Sequence, residues 1–463
     1  MKIIAKIKSL YTYFGFVAHE TNPVPFWVLF LFVVLLSLLM IPIGHIISFG
    51  YNPLLAEYSD FASIKIYIAT LPSIIFILYC IKRVGVKHYF TPLTLSLIIT
   101  FTLICLYQYV ILPEEFRLKL ASTALYLICS GLLGYAVYKL QIWPKYKELV
   151  CWTLILNGVV QSIIAIIQFS LQHSIGLNLL GESPLSINQY GVAKIILETT
   201  TFIRSYGTNP HPNILSAFLF IISILNLYLL NNTTQRSKRI VLYFSFILNI
   251  IGLTLTFSRG GLLAFVLGIF LALASTALHK GIKFTINKLY FLIMALIVPL
   301  ILFFPWLAQR SNINDSAVSE RSAYFEVGKN IVLNNWYIGT GAGTNLFHMK
   351  LFLEDKLEPW NIQPVHNYFL ISWSELGIIS LIPIFLILYF LYRILRKSLS
   401  NLYRKSDIFK ETSLFFTIFC GVFVLFWLDH YFYTYWPVQA FLWMLLGMSY
   451  SSLNYEEEDW SRR

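Results

Sequence analysis

The stretch VLYFSFILNIIGLTLTF, residues 241–257, carries no charged side chain, and after Ser258-Arg259-Gly260 a second uncharged stretch runs from Gly261 to Leu278. Each approaches the roughly 20 apolar residues that cross a hydrocarbon core as a helix. So short a connector leaves room only for a tight turn between two spans. The same pattern recurs at 26–49, 64–81, 93–112, 120–138, 149–171, 212–230, 240–257, 261–278, 289–307, 366–392, 412–429 and 435–453, about twelve spans in all. Composition agrees: 57% of residues are hydrophobic and 12% charged, against about 25% charged in a soluble domain, and mean hydropathy is +0.70. The expected fold is an all-α integral membrane protein, with residues 1–463 as one polytopic domain.

A net charge of +12 would suggest nucleic acid as the partner of a soluble protein. Here the placement of the charges explains them, and no nucleic acid is expected. Of the 34 Lys and Arg residues, 23 fall in the N-terminus, in alternate loops from 82–92 to 393–411, and in the C-terminus. By the positive-inside rule those segments are cytoplasmic, as are both termini. Lys2, Lys6 and Lys8 read as orientation signals for a retained anchor. Cys80, Cys105, Cys129, Cys151 and Cys420 lie dispersed in apolar runs, the pattern of small buried hydrophobes rather than of disulfides.

On the opposite side two long loops stand out, 172–211 and 308–365. Long loops in compact proteins usually carry function or are disordered. The second has helix-like content over Ser319–Leu333, with Ala323, Val327 and Ile331 four apart, and is expected to fold over the membrane mouth. The first holds a short apolar stretch, Gly191–Leu197, read as an interfacial or re-entrant segment.

The chemically distinctive residues gather on this outer side. Arg259 sits between two apolar runs. It either faces a polar cavity or snorkels to headgroups. Arg204 opens Arg204-Ser-Tyr-Gly-Thr-Asn-Pro-His-Pro-Asn213, a rigid turn before a helix, so it either helps to bind an anion at that helix N-terminus or is incidental to the turn. Arg321 lies on the loop helix, where pairing with an acidic neighbour is the structural alternative. His366 and Asn367 begin the tenth run, with Glu375 further along it. A histidine there is either a cap or a general base. Gly339-Thr-Gly-Ala-Gly343 lacks the Gly-Lys-Ser/Thr ending of a phosphate-binding loop and reads as a turn that holds the loop helix. The outer loops show no sequence spacing typical of metal ligands, and neither metal nor other cofactor is expected.

Taken in order, Arg204 to Asn213, Thr256-Phe-Ser-Arg259-Gly-Gly, Arg321 before Trp336-Tyr-Ile-Gly-Thr-Gly-Ala-Gly, and Val365-His366-Asn367-Tyr with Glu375-Leu-Gly resemble the O-antigen ligase and O-antigen polymerase superfamily of bacterial membrane glycosyltransferases. These motifs cover roughly residues 200–380. The resemblance implies a GT-C-like enzyme of the bacterial inner membrane. Such an enzyme moves a glycan from undecaprenyl diphosphate to an acceptor hydroxyl on a glycan, on lipid A core or on another molecule. It also implies that Arg204, Arg259 and Arg321 serve the diphosphate, that His366 is the base, and that Asn213, Asn367 and Glu375 support them. Outer aromatics such as Trp336, Trp360, Tyr431, Tyr433 and Trp436 either stack on sugars or anchor at the interface. The motifs leave ligase, polymerase and protein glycosyltransferase open. A different class, a twelve-helix transporter or flippase, would place ionisable residues inside several helices, whereas these helices are almost free of charge.

The assigned sidedness predicts that a cysteine introduced at 340 reacts with an impermeant reagent in intact cells and one at 400 does not. The reverse pattern would invert the topology and remove the site from the outer face.

Overall fold

A computed structural model describes residues 23–47, 64–197, 200–280, 301, 303–305, 308, 316–353, 363–400 and 407–461. Among them, eight helices are long and apolar enough to cross a membrane. The expected span 289–307, the N-terminal lysines and Trp360 fall outside the described residues or almost wholly so.

The first helix, α1 (Phe26–Met40), is shorter than its apolar run. Pro42 biases Ile41 away from helix, and the chain turns into β1 (Gly44–Ile47), which pairs antiparallel with β2 (Ile64–Tyr67), Gly44 opposite Tyr67. The runs expected as spans 26–49 and 64–81 therefore each lose one end to a hairpin. Hydropathy alone does not separate an apolar strand from a helix, and isoleucines on both sides of this pair favour the strand.

Three helices follow: α2 (Thr70–Val84), α3 (Pro92–Ile111) and α4 (Glu114–Lys139). The side chain of Thr91 caps α3 by accepting from the N–H of Thr94, with Pro92 in the first turn. Next, α5 (Ile142–Leu171) is longer than the expected 149–171, with a kink at Tyr146. The loop after it contains a second hairpin, β3 (Lys194–Leu197) with β4 (Thr200–Ile203). The apolar stretch read as interfacial or re-entrant is thus a strand.

The centre of the bundle is α6 (Pro212–Asn232), of which 89% is buried, whereas α3 is only 11% buried and turns its side chains toward lipid. Around α6 stand α7 (Arg236–Leu255) and α8 (Arg259–Lys280). The large loop supplies α9 (Ser316–Asn335), covering the segment expected as helical, and α10 (Asn345–Leu353). The expected single helix 366–392 is broken at Gly377, φ 62°, into α11 (Tyr368–Leu376) and α12 (Leu381–Ser400). The chain closes with α13 (Asp407–Leu428), a short turn α14 (Tyr431–Thr434) and α15 (Trp436–Ser461). Helices α4 and α15 approach backbone to backbone: a Cβ on Gly447 would lie 2.1 Å from the Gly134 carbonyl oxygen. Such small-residue contacts replace the hydrophobic drive that lipid removes.

Two buried glutamines of α5 hold the turn that precedes α6. The side-chain oxygen of Gln168 accepts from the N–H groups of Tyr206 (3.1 Å) and Gly207 (2.8 Å), while its amide donates to Glu182 and to the Gly207 carbonyl, both at 2.8 Å. Gln161 does the same two turns earlier, accepting from the N–H of Thr208 and donating to Thr208 Oγ1 and the Met40 carbonyl. Backbone polar groups at membrane depth need such partners. Gln168→Leu strips several at once and costs about 1–3 kcal/mol. The expected result is a lowered thermal midpoint in detergent. An unchanged midpoint would show that the turn does not depend on this side chain.

Candidate functional site

Strand β4 leads directly into Arg204, whose N–H donates to the Ala193 carbonyl at 3.1 Å. Arg204 is only 3% exposed. Its Nε donates to the Thr256 carbonyl and its Nη2 to Asn213 Oδ1, both at 2.7 Å. Thr256 lies in the connector between α7 and α8, where Phe257 has φ 46°. A bulky residue in the left-handed region costs on the order of 1–3 kcal/mol and persists where its surroundings enforce it. Here the buried guanidinium provides that enforcement. The connector ends in Ser258, whose Oγ accepts from the N–H of Gly261, and then in Arg259.

Arg259 therefore differs from Arg204 in placement. It is exposed at the first turn of α8, next to Gly260, where an added Cβ would meet Leu428 Cδ1 at 3.3 Å. The connector thus packs against the end of α13, and the residue after Leu428 is Asp429. Asp429 is 5% exposed. Its Oδ2 accepts from Asn213 Nδ2 at 2.7 Å and its Oδ1 from the backbone N–H of His430 at 2.9 Å. Asn213 is thereby the link from Arg204 to Asp429.

His366 meets this group from another direction. Asn367 caps α11, its Oδ1 accepting from the N–H of Leu370 and its amide donating to the Trp427 carbonyl. That cap fixes His366 just before the helix. The imidazole stacks on Tyr324 of α9 at 5.9 Å and meets His430 edge-on at 5.0 Å. Val365 packs so closely on α9 that a Cβ on Gly328 would lie 2.7 Å from it. Arg321, one turn before Tyr324, brings its charge to bear on Asp429, His366, His430 and His211. The structure thus brings Arg204, Asn213, Arg321, His366 and Asn367 into one neighbourhood, with Arg259 at its margin on the connector.

Glu375 has a different partner set. Its carboxylate accepts from the N–H groups of Gly343 and Asn345, at the start of α10, and the carbonyls of Ser374 and Glu375 accept from Thr340 and Gly341. The glycine-rich segment is the turn that docks the loop helices against α11. Glu375 holds that turn.

Burial sets the protonation states. It drives the His366 imidazole well below its ordinary value, with Asp429 opposing and Arg321 assisting. His430 falls to about 4 and His211 to about 3, again chiefly through burial. Burial pushes the Asp429 carboxyl up, but the imidazoles and Arg321 around it pull it down to about 2. Near neutral pH the cluster therefore holds neutral imidazoles, the Asp429 carboxylate and the guanidinium groups of Arg204 and Arg321. His366 Nδ1 is buried without a partner among the described residues. A buried ring nitrogen left unpaired is unusual and calls for a partner.

Sequence spacing offered no metal-ligand set, yet the fold places ligand atoms of His366, Asp429 and His430 within 4.8 Å of one another. Their other commitments fit a cation poorly. Both Asp429 oxygens already accept hydrogen bonds, His430 Nδ1 lies 2.8 Å from Thr434 Oγ1, and Arg321 adds positive charge nearby. Asp429 is not singled out by the sequence, and His430 ranks there below His366, because Leu428-Asp429-His430-Tyr431 sits at the end of an apolar run and reads as its boundary. An acid and a histidine at a span terminus were the available signal. Of the aromatics singled out above, Tyr431, Tyr433 and Trp436 are buried and Trp336 is exposed.

The fold and site define a multi-pass membrane protein with a buried acid, histidine and arginine cluster where four helix ends meet. Residues 244–385 match the family model Wzy_C, O-antigen ligase, and that match supports the resemblance to the O-antigen ligase superfamily over this part of the chain. The matched segment includes Arg259, Arg321, His366, Asn367 and Glu375, while Arg204, Asn213, Asp429 and His430 lie outside it. No curated protein matches the chain.

Histidine NMR on isotope-labelled protein in nanodiscs, with His366→Gln for assignment, should place the His366 midpoint below the ordinary value of about 6.5. Since Asp429 raises that value, Asp429→Asn should move the midpoint lower still. A wild-type midpoint at or above 6.5 would contradict the neutral base.

Proposed function

We propose that the protein is an O-antigen ligase-like glycosyltransferase that moves a glycan from undecaprenyl diphosphate to an acceptor hydroxyl on the extracytoplasmic side of the bacterial inner membrane. The observation that carries this reading is the unpartnered, buried His366 Nδ1 beside Asp429 and Arg321. A neutral imidazole there can take the acceptor's proton as the oxygen attacks the anomeric carbon. The imidazolium that forms lies beside the Asp429 carboxylate, which stabilises it without itself taking the proton, as in hydrolase triads.

Attack breaks the anomeric C–O bond and leaves both bonding electrons on the diphosphate. Arg259 and Arg321 are assigned to that growing charge, stabilisation directed at the transition state. Arg204, buried on Thr256 and Asn213, is assigned a positioning role through the connector that presents Arg259. A base on the face opposite the leaving group gives in-line attack and inversion. The acceptor proton goes to His366, so no metal or nucleotide is required.

A lipid-linked donor is also supported by an apolar groove of about 580 Å³ between α3, α4, α12 and α15, lined by side chains such as Phe101, Leu376, Leu386 and Trp443. It runs from beside Glu375 along the bundle and suits a hydrocarbon chain.

His366→Ala should fold and bind donor, while transfer falls by about 10²–10⁴-fold. His366→Gln should be as inactive, because it restores a hydrogen-bonding group but no base. Near-normal turnover in the Gln variant would reduce His366 to a structural residue. Arg259→Lys should lose most activity, since an ammonium cannot present a planar fork to two phosphate oxygens. EDTA should leave wild-type turnover unchanged. Loss on chelation with recovery on adding Mg²⁺ would assign the His366, Asp429 and His430 cluster to a cation instead.

A further inference from the structure

His211 stands immediately before α6 and takes no part in the transfer chemistry described above. Pro212 after it restricts its backbone to the extended region that it occupies, φ −153° and ψ 143°. Its carbonyl accepts from the N–H of Ile214 at 3.1 Å. Its ring Nδ1 accepts from the N–H of Asn213 at 3.2 Å and so caps the helix. Backbone and imidazole are thus both fixed to the first turn of α6.

The capping bond also sets the tautomer. A neutral imidazole carries one N–H, and the nitrogen that accepts from Asn213 is not the one that bears it, so the hydrogen is on Nε2. That Nε2 has no hydrogen-bond partner among the described residues, and the residue is half-buried. Ser, Thr, Asn or Asp would cap a helix as well. What the imidazole adds is a second nitrogen, with its hydrogen, beyond the cap.

The surroundings of that N–H favour an oxyanion as its acceptor. Burial and then the charge of Arg204 do most to lower the basicity of His211, and Arg321 acts in the same sense. Asp429 opposes them, with its oxygens already engaged by Asn213 and His430. The N-terminus of a 21-residue helix adds positive potential at the same place. Asn213, whose backbone N–H makes the cap, is also the residue whose side chain joins Arg204 to Asp429. His211 is therefore tied through one residue to the cluster that holds His366. A donor that stays uncharged suits this position, because it adds a hydrogen bond without a further positive charge beside Arg204 and Arg321.

We propose that His211 contacts the substrate, donating its Nε2–H to an oxygen of the departing diphosphate while its Nδ1 caps α6. The proposal rests on the transferase reading and deepens it by adding a donor to the leaving-group side of the site. As the anomeric C–O bond breaks, both electrons go to the diphosphate oxygen, and the hydrogen bond from His211 strengthens with the growing charge. The hydrogen stays on Nε2, since its loss would leave an imidazolate, and the acceptor's proton still goes to His366.

Two substitutions separate the cap from the donor. Asn is a strong cap that reaches the place of Nδ1 but not of Nε2, whereas Gln reaches the place of Nε2 and is not a favoured cap. In full-length protein in nanodiscs, His211→Asn should keep the wild-type thermal midpoint while kcat falls on the order of 10²-fold with little change in KM for the lipid-linked donor, the pattern of a lost transition-state hydrogen bond. His211→Gln should show the reverse, a lower midpoint and more turnover than the Asn variant. Near-normal turnover in His211→Asn would leave His211 a helix cap and overturn the proposal. A second measurement needs neither variant to be active: in wild-type protein labelled with ¹⁵N-histidine, His211 should show the Nε2–H tautomer, and its Nε2 resonance should move when inorganic diphosphate is added. The Nδ1–H tautomer, or a resonance indifferent to diphosphate, overturns the proposal. So does a response to glucose in place of diphosphate, which would give the N–H to a sugar. This titration is independent of transfer, which the His366 variants test, so the two readings can fail separately.

Discussion

The buried guanidinium of Arg204 is the constraint on which the site depends. It reaches the Thr256 carbonyl with one nitrogen and Asn213 with another. Through the first it holds a connector in which Phe257 occupies the left-handed region. Through the second it orients the amide that donates to Asp429. A charge so deeply placed is costly to bury and is kept where its hydrogen bonds are met. Meeting them ties together three chain segments far apart in sequence: the turn before α6, the connector before α8, and the end of α13.

The cluster follows from that junction. Asp429 keeps its charge because cationic and polar groups surround it, and the imidazoles stay neutral because burial outweighs the attraction of Asp429. These opposed shifts place neutral imidazoles and a carboxylate within 4.8 Å of one another, which is what the proposed base and its stabiliser require. The loop helix α9 completes the arrangement by stacking Tyr324 on His366 and directing Arg321 toward Asp429. Its own placement depends on the glycine turn that Glu375 holds.

Hydropathy by itself determined that the chain crosses a membrane many times, because a span is a local property of about 20 consecutive residues. The order of Arg204, Arg259, Arg321 and His366 around a large loop was likewise legible, since each lies in a run of turn-forming or apolar residues that marks it as unusual. The two hairpins were not legible, because an apolar run of isoleucines is locally compatible with strand and helix. Nor was the division of labour between Arg204, 3% exposed, and Arg259, exposed, for the two look alike in their motifs. Asp429 and His430 acquire meaning only from neighbours on distant elements. Tertiary structure decided these because burial and proximity, which set charge state and leave a donor or acceptor unpaired, are properties of where chain segments meet and not of any one segment.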